Sequence, residues 1–119
     1  VVYHAVSDSI LGALALGDIG HYFPPSDASI AGINSERIVS KCVKLTKERG
    51  YLTSNIDVMI FAEKPKLAPY VKKMRANLAR LLEVSIDQVS VKCGTNEKMD
   101  AIGRGEAIRA TSVILMKKE

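Results

Sequence analysis

Between Tyr51 and Glu63 the chain alternates with a period of two. Ile56, Val58, Ile60 and Ala62 are apolar, and Asp57, Met59, Phe61 and Glu63 stand between them. Successive residues of a strand point to opposite faces, so this stretch is the longest expected strand, with one wholly apolar face and one mixed. Such a strand needs other elements to cover its apolar side, which confines the chain to a layered fold.

Three segments carry the helical spacing that supplies the cover. Val1 to Gly20 reads as one amphipathic helix running into the turn Gly17-Asp18-Ile19-Gly20. Val6, Ile10, Ala13 and Leu14 are its core stripe, and Gly17 is its left-handed stop. His4, Asp8, Leu11 and Ala15 form the neighbouring stripe, with an imidazole and a carboxylate one turn apart. A Pro-rich loop from His21 to Asp27 follows and runs on to Gly32-Ile33. Asn34 or Ser35 then caps a second helix that turns Ile38, Cys42 and Leu45 inward and ends at Gly50. The third helix follows the loop Glu63-Lys64-Pro65-Lys66 and carries Pro69 in its first turn. It buries Val71, Met74, Leu78, Leu81 and Leu82 and leaves Lys72, Lys73, Arg75 and Arg80 wet.

Ser85 to Gln88 is a turn, and Val89, Val91 and Cys93 alternate along a short strand. Gly94 to Glu106 reads as a polar loop, and Ala107 to Lys117 as a closing strand. The expected order is helix, loop, helix, strand, helix, strand, strand. That is an α/β (α+β) sandwich: one domain over residues 1–119, with a small mixed sheet and its helices packed on one face. The chain opens inside a helix, with no capping residue before Val1-Val2-Tyr3, as expected of a protein whose natural start lies earlier.

Charge and cysteine usage narrow the function. The 17 basic and 13 acidic side chains leave a net charge of +4, suited to a phosphate-bearing partner but too small to single out nucleic acid. The basic helix lacks the interleaved aromatics that would stack bases. No apolar run approaches membrane-spanning length. Cys42 and Cys93 show no paired spacing and read as reduced thiols in a reducing compartment.

Several constellations carry chemistry, each beside a plainer reading. His4 with Asp8 fits a metal ligand with a supporting carboxylate, or an ordinary helical pair. Lys64-Pro65-Lys66 before a helix start fits an anion site, or a solvated turn. Thr95-Asn96-Glu97-Lys98 offers a hydroxyl, an amide and a carboxylate able to hold Mg²⁺, or is an exposed loop. Gly103-Arg104-Gly105-Glu106 fits a phosphate-binding guanidinium, or more simply a turn before the last strand.

Taken together, four stretches resemble one family, the 2-C-methyl-D-erythritol 2,4-cyclodiphosphate synthases. They are His4 with Asp8-Ser9-Ile10-Leu11-Gly12-Ala13; Leu16-Gly17-Asp18-Ile19-Gly20 with Phe23-Pro24; Asn55-Ile56-Asp57-Val58 leading to Pro65-Lys66; and Thr95-Asn96-Glu97-Lys98 with Gly103-Arg104-Gly105-Glu106. The resemblance implies a cytoplasmic bacterial enzyme (or a plastid-type one), and a homotrimer with its active sites between subunits. It implies a cytidine diphosphate substrate closed to a cyclic diphosphate with loss of CMP.

By the same resemblance His4 is a ligand of Zn²⁺ or another divalent ion, and Glu97 holds Mg²⁺ or Mn²⁺ on the diphosphate. Thr95, Glu97 and Asp18 are the expected catalytic residues. Asp18, Ile19, Gly20, Phe23, Pro24 and Asp27 are expected around the methylerythritol. The stretch from Ala62 through Ala68, with Pro65, Lys66 and Leu67, is expected around the cytidine together with Gly94, and Ala101 and Arg104 nearer the trimer axis. The family's leading Asp-x-His strand and its His-Ser-Asp-Gly-Asp loop have no counterpart in these residues. Pro25, Cys93-Gly94 and Asp100-Ala101-Ile102 replace an Asp, Ala-Thr and Gly-Phe-Thr that are commoner there. The alternative of another class is a non-catalytic trimeric module that binds nucleotide or isoprenoid phosphate.

Overall fold

The structure is a computed structural model that describes residues 1–23 and 34–119. The alternating segment is its central strand. β1 (Tyr51–Phe61) lies between β2 (Val89–Gly94) and β3 (Arg109–Lys118), in the sheet order β2-β1-β3. β2 is parallel to β1, with Ile56 opposite Val89 and Ile60 opposite Cys93; β3 is antiparallel, with Val58 opposite Ser112. A parallel neighbour requires a crossover. α4 (Val71–Leu82), entered through a 3₁₀ turn at Ala68–Tyr70, makes that crossover from β1 to β2.

One face of the sheet carries the core. Ile56, Val58 and Ile60 meet Val6, Ile10 and Leu11 of α1 (Val2–Ala13), Val39 and Cys42 of α3 (Ser35–Glu48), and Leu78 and Leu82 of α4. A bulge between Thr53 and Asn55 shifts the alternation by one, which keeps Thr53 on the buried side with Ile56. The opposite face is open. It carries the Asp57–Lys92 ion pair at 2.9 Å, and Val113 and Leu115, which are 72% and 58% exposed.

The opening helix departs from its expected span. It stops at Ala13, not at Gly17, because Ala15 takes the left-handed conformation (φ 57°). The Leu16 N–H then donates to the Leu11 carbonyl at 2.9 Å, and the Ala15 N–H to Gly12 at 3.0 Å. This paired closure is the Schellman arrangement, here without glycine. Ser7 and Leu11 join Val6 and Ile10 in the core, while Ala13 is exposed. Asp18 then caps a separate short helix, α2 (Ile19–Tyr22).

Other expectations shift in smaller ways. α3 begins at the Asn34 cap, whose side chain accepts from the Glu36 N–H at 2.8 Å; it buries Val39, Val43 and Thr46 with Ile38 and Cys42, while Leu45 is only partly buried. Arg75 is not a solvated charge: it donates to the carbonyls of Val89 at 2.8 Å and Ile86 at 3.0 Å, fastening α4 to the start of β2. The polar stretch after β2 contains a short helix, α5 (Asp100–Gly103), and β3 begins at Arg109.

Candidate functional site

In a parallel pair joined by a crossover, both strands end on the same side of the sheet, and their loops face one crevice. β1 and β2 do this. The Ala62 N–H donates to the Gly94 carbonyl at 3.0 Å, which carries the pairing one residue past β1 and forms the floor. Above it lies a cleft of about 400 Å³. It brings together Ala62, Glu63, Lys66, Leu67 and Ala68 of the expected cytidine stretch with Gly94 and Thr95, and adds Cys93.

The loop after β2 forms the far wall and is conformationally costly. Glu97 (φ 50°) and Lys98 (φ 64°) are both left-handed. Each such L-residue costs about 1–2 kcal/mol, so the loop holds its shape only if other groups hold it. Three contacts do so. Thr95 Oγ1 accepts from the Glu97 N–H at 3.3 Å, and Glu63 Oε1 accepts from the Lys98 N–H at 2.9 Å. Gly103 lies flat against Lys98, where a Cβ would fall 2.2 Å from the Lys98 carbonyl carbon.

Asp100, also left-handed at φ 59°, closes the far end of the loop. Its Oδ1 accepts from the N–H groups of Ile102 at 2.9 Å and Gly103 at 3.2 Å, and its Oδ2 from Asn96 Nδ2 at 2.9 Å. The Gly103 N–H first, then Asn96 and Ile102, hold its carboxyl below the ordinary aspartate value. Glu97 itself is exposed, and so is Arg104, which pairs with Glu106 at 3.1 Å; Ala101 is half-buried in α5.

The remaining expected residues form a second group. Asp18 Oδ1 accepts from the His21 N–H at 3.2 Å, and Asp8 Oδ1 accepts from the Ile19 N–H at 3.1 Å, so two carboxylates fasten the start of α2. α1 packs against β3, where the Ser9 and Ser112 hydroxyls are 3.0 Å apart. The first turn of α1 adjoins Leu67 at the back of the cleft, but the polar groups of the α1–α2 corner do not enter it. His4, Asp18, Ile19 and Gly20 are absent from the cleft lining, so one chain does not bring the two groups together. Phe23 is half-buried at the end of α2; Pro24, Pro25 and Asp27 lie outside the described residues.

Among the described residues no three His, Cys, Asp or Glu side chains gather as a metal centre. His4 is an exposed single donor, and one oxygen of its neighbour Asp8 is already engaged by Ile19. The described residues of one chain thus do not fit a complete zinc or magnesium site. Both cysteines are free; burial against α1 pushes the Cys42 thiol up to about 11, while Cys93 is exposed at the cleft. Glu63 lies within the expected cytidine stretch and Gly103 within the expected Gly103-Arg104-Gly105-Glu106 motif, neither with a role of its own, and Asp100 was not expected as a site residue. The only sequence signal for Asp100 was its place where the family more often has glycine, the residue that suits a left-handed backbone.

Known proteins match the chain over nearly its whole length. The model of the YgbB family matches residues 1–117. The 2-C-methyl-D-erythritol 2,4-cyclodiphosphate synthase of Brachyspira hyodysenteriae is 52% identical over 117 residues, covering 98% of this chain and 74% of the relative. That of Thermosynechococcus vestitus is 50% identical, covering 98% and 73%. Among solved structures, an IspF of Plasmodium falciparum in complex with CDP superposes with a TM-score of 0.87 at 33% identity, covering 98% of this chain and 70% of that one. The bifunctional IspDF of Campylobacter jejuni reaches 0.93 at 33% identity, covering 98% and 32%.

Proposed function

The chain belongs to the YgbB family, the family of the 2-C-methyl-D-erythritol 2,4-cyclodiphosphate synthases, and from that premise we propose how its residues serve the reaction. The enzyme is a lyase of isoprenoid biosynthesis. It closes 4-diphosphocytidyl-2-C-methyl-D-erythritol 2-phosphate to the 2,4-cyclodiphosphate. An oxygen of the 2-phosphate bonds to the β-phosphorus, the bond from that phosphorus to the oxygen of the cytidine phosphate breaks, and CMP leaves. Such a transfer asks the protein chiefly to align the attacking and leaving oxygens and to stabilise charge.

The cleft at the ends of β1 and β2 takes the cytidine, with backbone groups of Ala62, Pro65, Leu67, Ala68 and Gly94 around the base. The Lys66 ammonium meets the diphosphate. Thr95 Oγ1 already accepts the Glu97 N–H, so its own O–H remains to donate to the charge that develops on the reacting phosphoryl group. Asp18, with Ile19, Gly20, Phe23, Pro24 and Asp27, receives the methylerythritol hydroxyls.

The Asp18 group comes from a neighbouring copy, in a homotrimer whose sites lie between subunits. Two observations support this. His4, Asp18, Ile19 and Gly20 are absent from the cleft lining of their own chain, and the open sheet face presents Val113 and Leu115, an apolar surface suited to a second copy. Ala101 and Arg104 lie toward the axis in that arrangement. His4 would serve as a donor to Zn²⁺ or another divalent ion and Glu97 to Mg²⁺ or Mn²⁺, each supplying a single ligand from this chain. No described helix is long and apolar enough to cross a membrane, and the two free thiols accord with the cytoplasm.

The convergence of Ala62, Lys66, Leu67, Ala68, Gly94 and Thr95 on one cleft carries this reading. CMP release from the diphosphate substrate tests it. Lys66→Ala should raise KM by about tenfold and lower kcat much less, because an exposed ammonium contributes mostly ground-state binding. A fall in kcat at constant KM would refute that role, and cytidine nucleotide bound without turnover would leave only a binding module.

A further inference from the structure

The two loops that border the cleft are joined through one side chain. Glu63 follows β1 by two residues and starts the segment that runs through Lys66 to Ala68. Its Oε1 accepts the Lys98 N–H across 35 residues of sequence, at 2.9 Å. Lys98 and its neighbour Glu97 hold left-handed backbone, which a free loop would abandon. The Lys98 backbone also lies directly against Gly103. A second contact runs parallel to the first: the Lys64 side chain packs beside Gly105. The segment from Glu63 to Ala68 and the segment from Thr95 to Gly105 are therefore fastened at one defined backbone atom, and Glu63 is the polar member of that fastening.

We propose that Glu63 is a positioning residue: by holding the Lys98 N–H, its carboxylate sets Thr95 and Glu97 relative to the cytidine pocket and transmits occupancy of that pocket to them. This rests on the reading of the cleft given above. Glu63 need touch neither the reacting phosphorus nor the leaving oxygen. A carboxylate is not required for its charge; any oxygen acceptor at the same reach serves, because the partner is a neutral backbone N–H.

Glu63→Gln and Glu63→Ala test this, compared with the unaltered protein by CMP-release kinetics and by hydrogen exchange at the Lys98 amide with and without CDP. Glu63→Ala should lower kcat by about tenfold, the size of one lost hydrogen bond, with KM changed by no more than about threefold. Its Lys98 amide should exchange faster, and CDP should no longer slow exchange there. Glu63→Gln, which keeps a side-chain carbonyl oxygen, should restore both. Glu63→Ala with unchanged kcat, or a loss confined to KM, would overturn the proposal alone. So would a Gln variant as impaired as the Ala one. If the unaltered protein neither released CMP nor bound CDP, the reading of the cleft would fail, and the positioning role with it.

Discussion

Replacing Gly103 by alanine perturbs the site without touching any residue assigned to the substrate. An ideal Cβ there would lie 2.2 Å from the Lys98 carbonyl carbon, 2.6 Å from its Cα and 3.0 Å from its N. All three are backbone atoms, so no side-chain rotation relieves the overlap. Reaching ordinary van der Waals contact needs a shift of about 1 Å in the Lys98 backbone or in α5. Overpacking of this kind costs about 1–3 kcal/mol. A shifted Lys98 also weakens its hydrogen bond to Glu63, worth about 1.5 kcal/mol or more with a charged acceptor. For a chain of this length, a total of about 3 kcal/mol lowers Tm by roughly 10 °C at fixed protein concentration. A displacement of about 1 Å at Thr95 and Glu97 should cost about 100-fold in kcat/KM. Thermal unfolding followed by circular dichroism, with CMP release on the same samples, checks both effects. A variant within about 2 °C of the parent, with undiminished turnover, would show that the loop is not packed on Gly103 as described.

Two further outcomes follow from the loop and cap geometry. Asp100 has a depressed folded pKa, so the stability it contributes is fully present above its unfolded value near 3.8 and is lost as pH falls through the folded value. Asp57, held low mainly by Lys92 and Ser90, adds to the same acid window. Tm should therefore fall more steeply between about pH 5 and pH 2.5 in the parent than in Asp100→Asn; parallel curves would contradict the hold of the Asp100 carboxylate on the Ile102 and Gly103 N–H groups. Ala15→Gly should raise Tm by about 3–5 °C, because glycine carries the left-handed closure of α1 without the Cβ penalty. A lower Tm would mean that Ala15 makes packing contacts worth more than its strain.

Much of the fold is written in local pattern. The alternation from Ile56 to Phe61 determines the central strand and its buried face, since side-chain direction along an unbroken strand depends on parity, whereas the bulge at Thr53–Asn55 was not legible. The apolar stripes of α3 and α4 and the Asn34 cap are local for the same reason. The motif residues Ala62, Lys66 to Ala68, Gly94 and Thr95 could also be named from the sequence, because they recur in one order along the chain. Where a helix stops was not legible. Gly17 is the obvious breaker, yet α1 closes at Ala15, with Leu11 buried and Leu16 packed against the core, a choice made by packing and not by propensity. The standing of Arg75 was hidden too, for its carbonyl partners at Ile86 and Val89 reach it only after the crossover folds back. The same holds for Glu63 and Gly103. One reads as a strand-end charge and the other as a turn glycine until the parallel pairing of β1 and β2 brings the two loops together. Local sequence thus determined which segments form and which way they face, because those depend on neighbours a few residues away. Only the tertiary structure decided which loops share a cleft and which backbone atoms hold them, because those contacts join residues the chain itself keeps far apart.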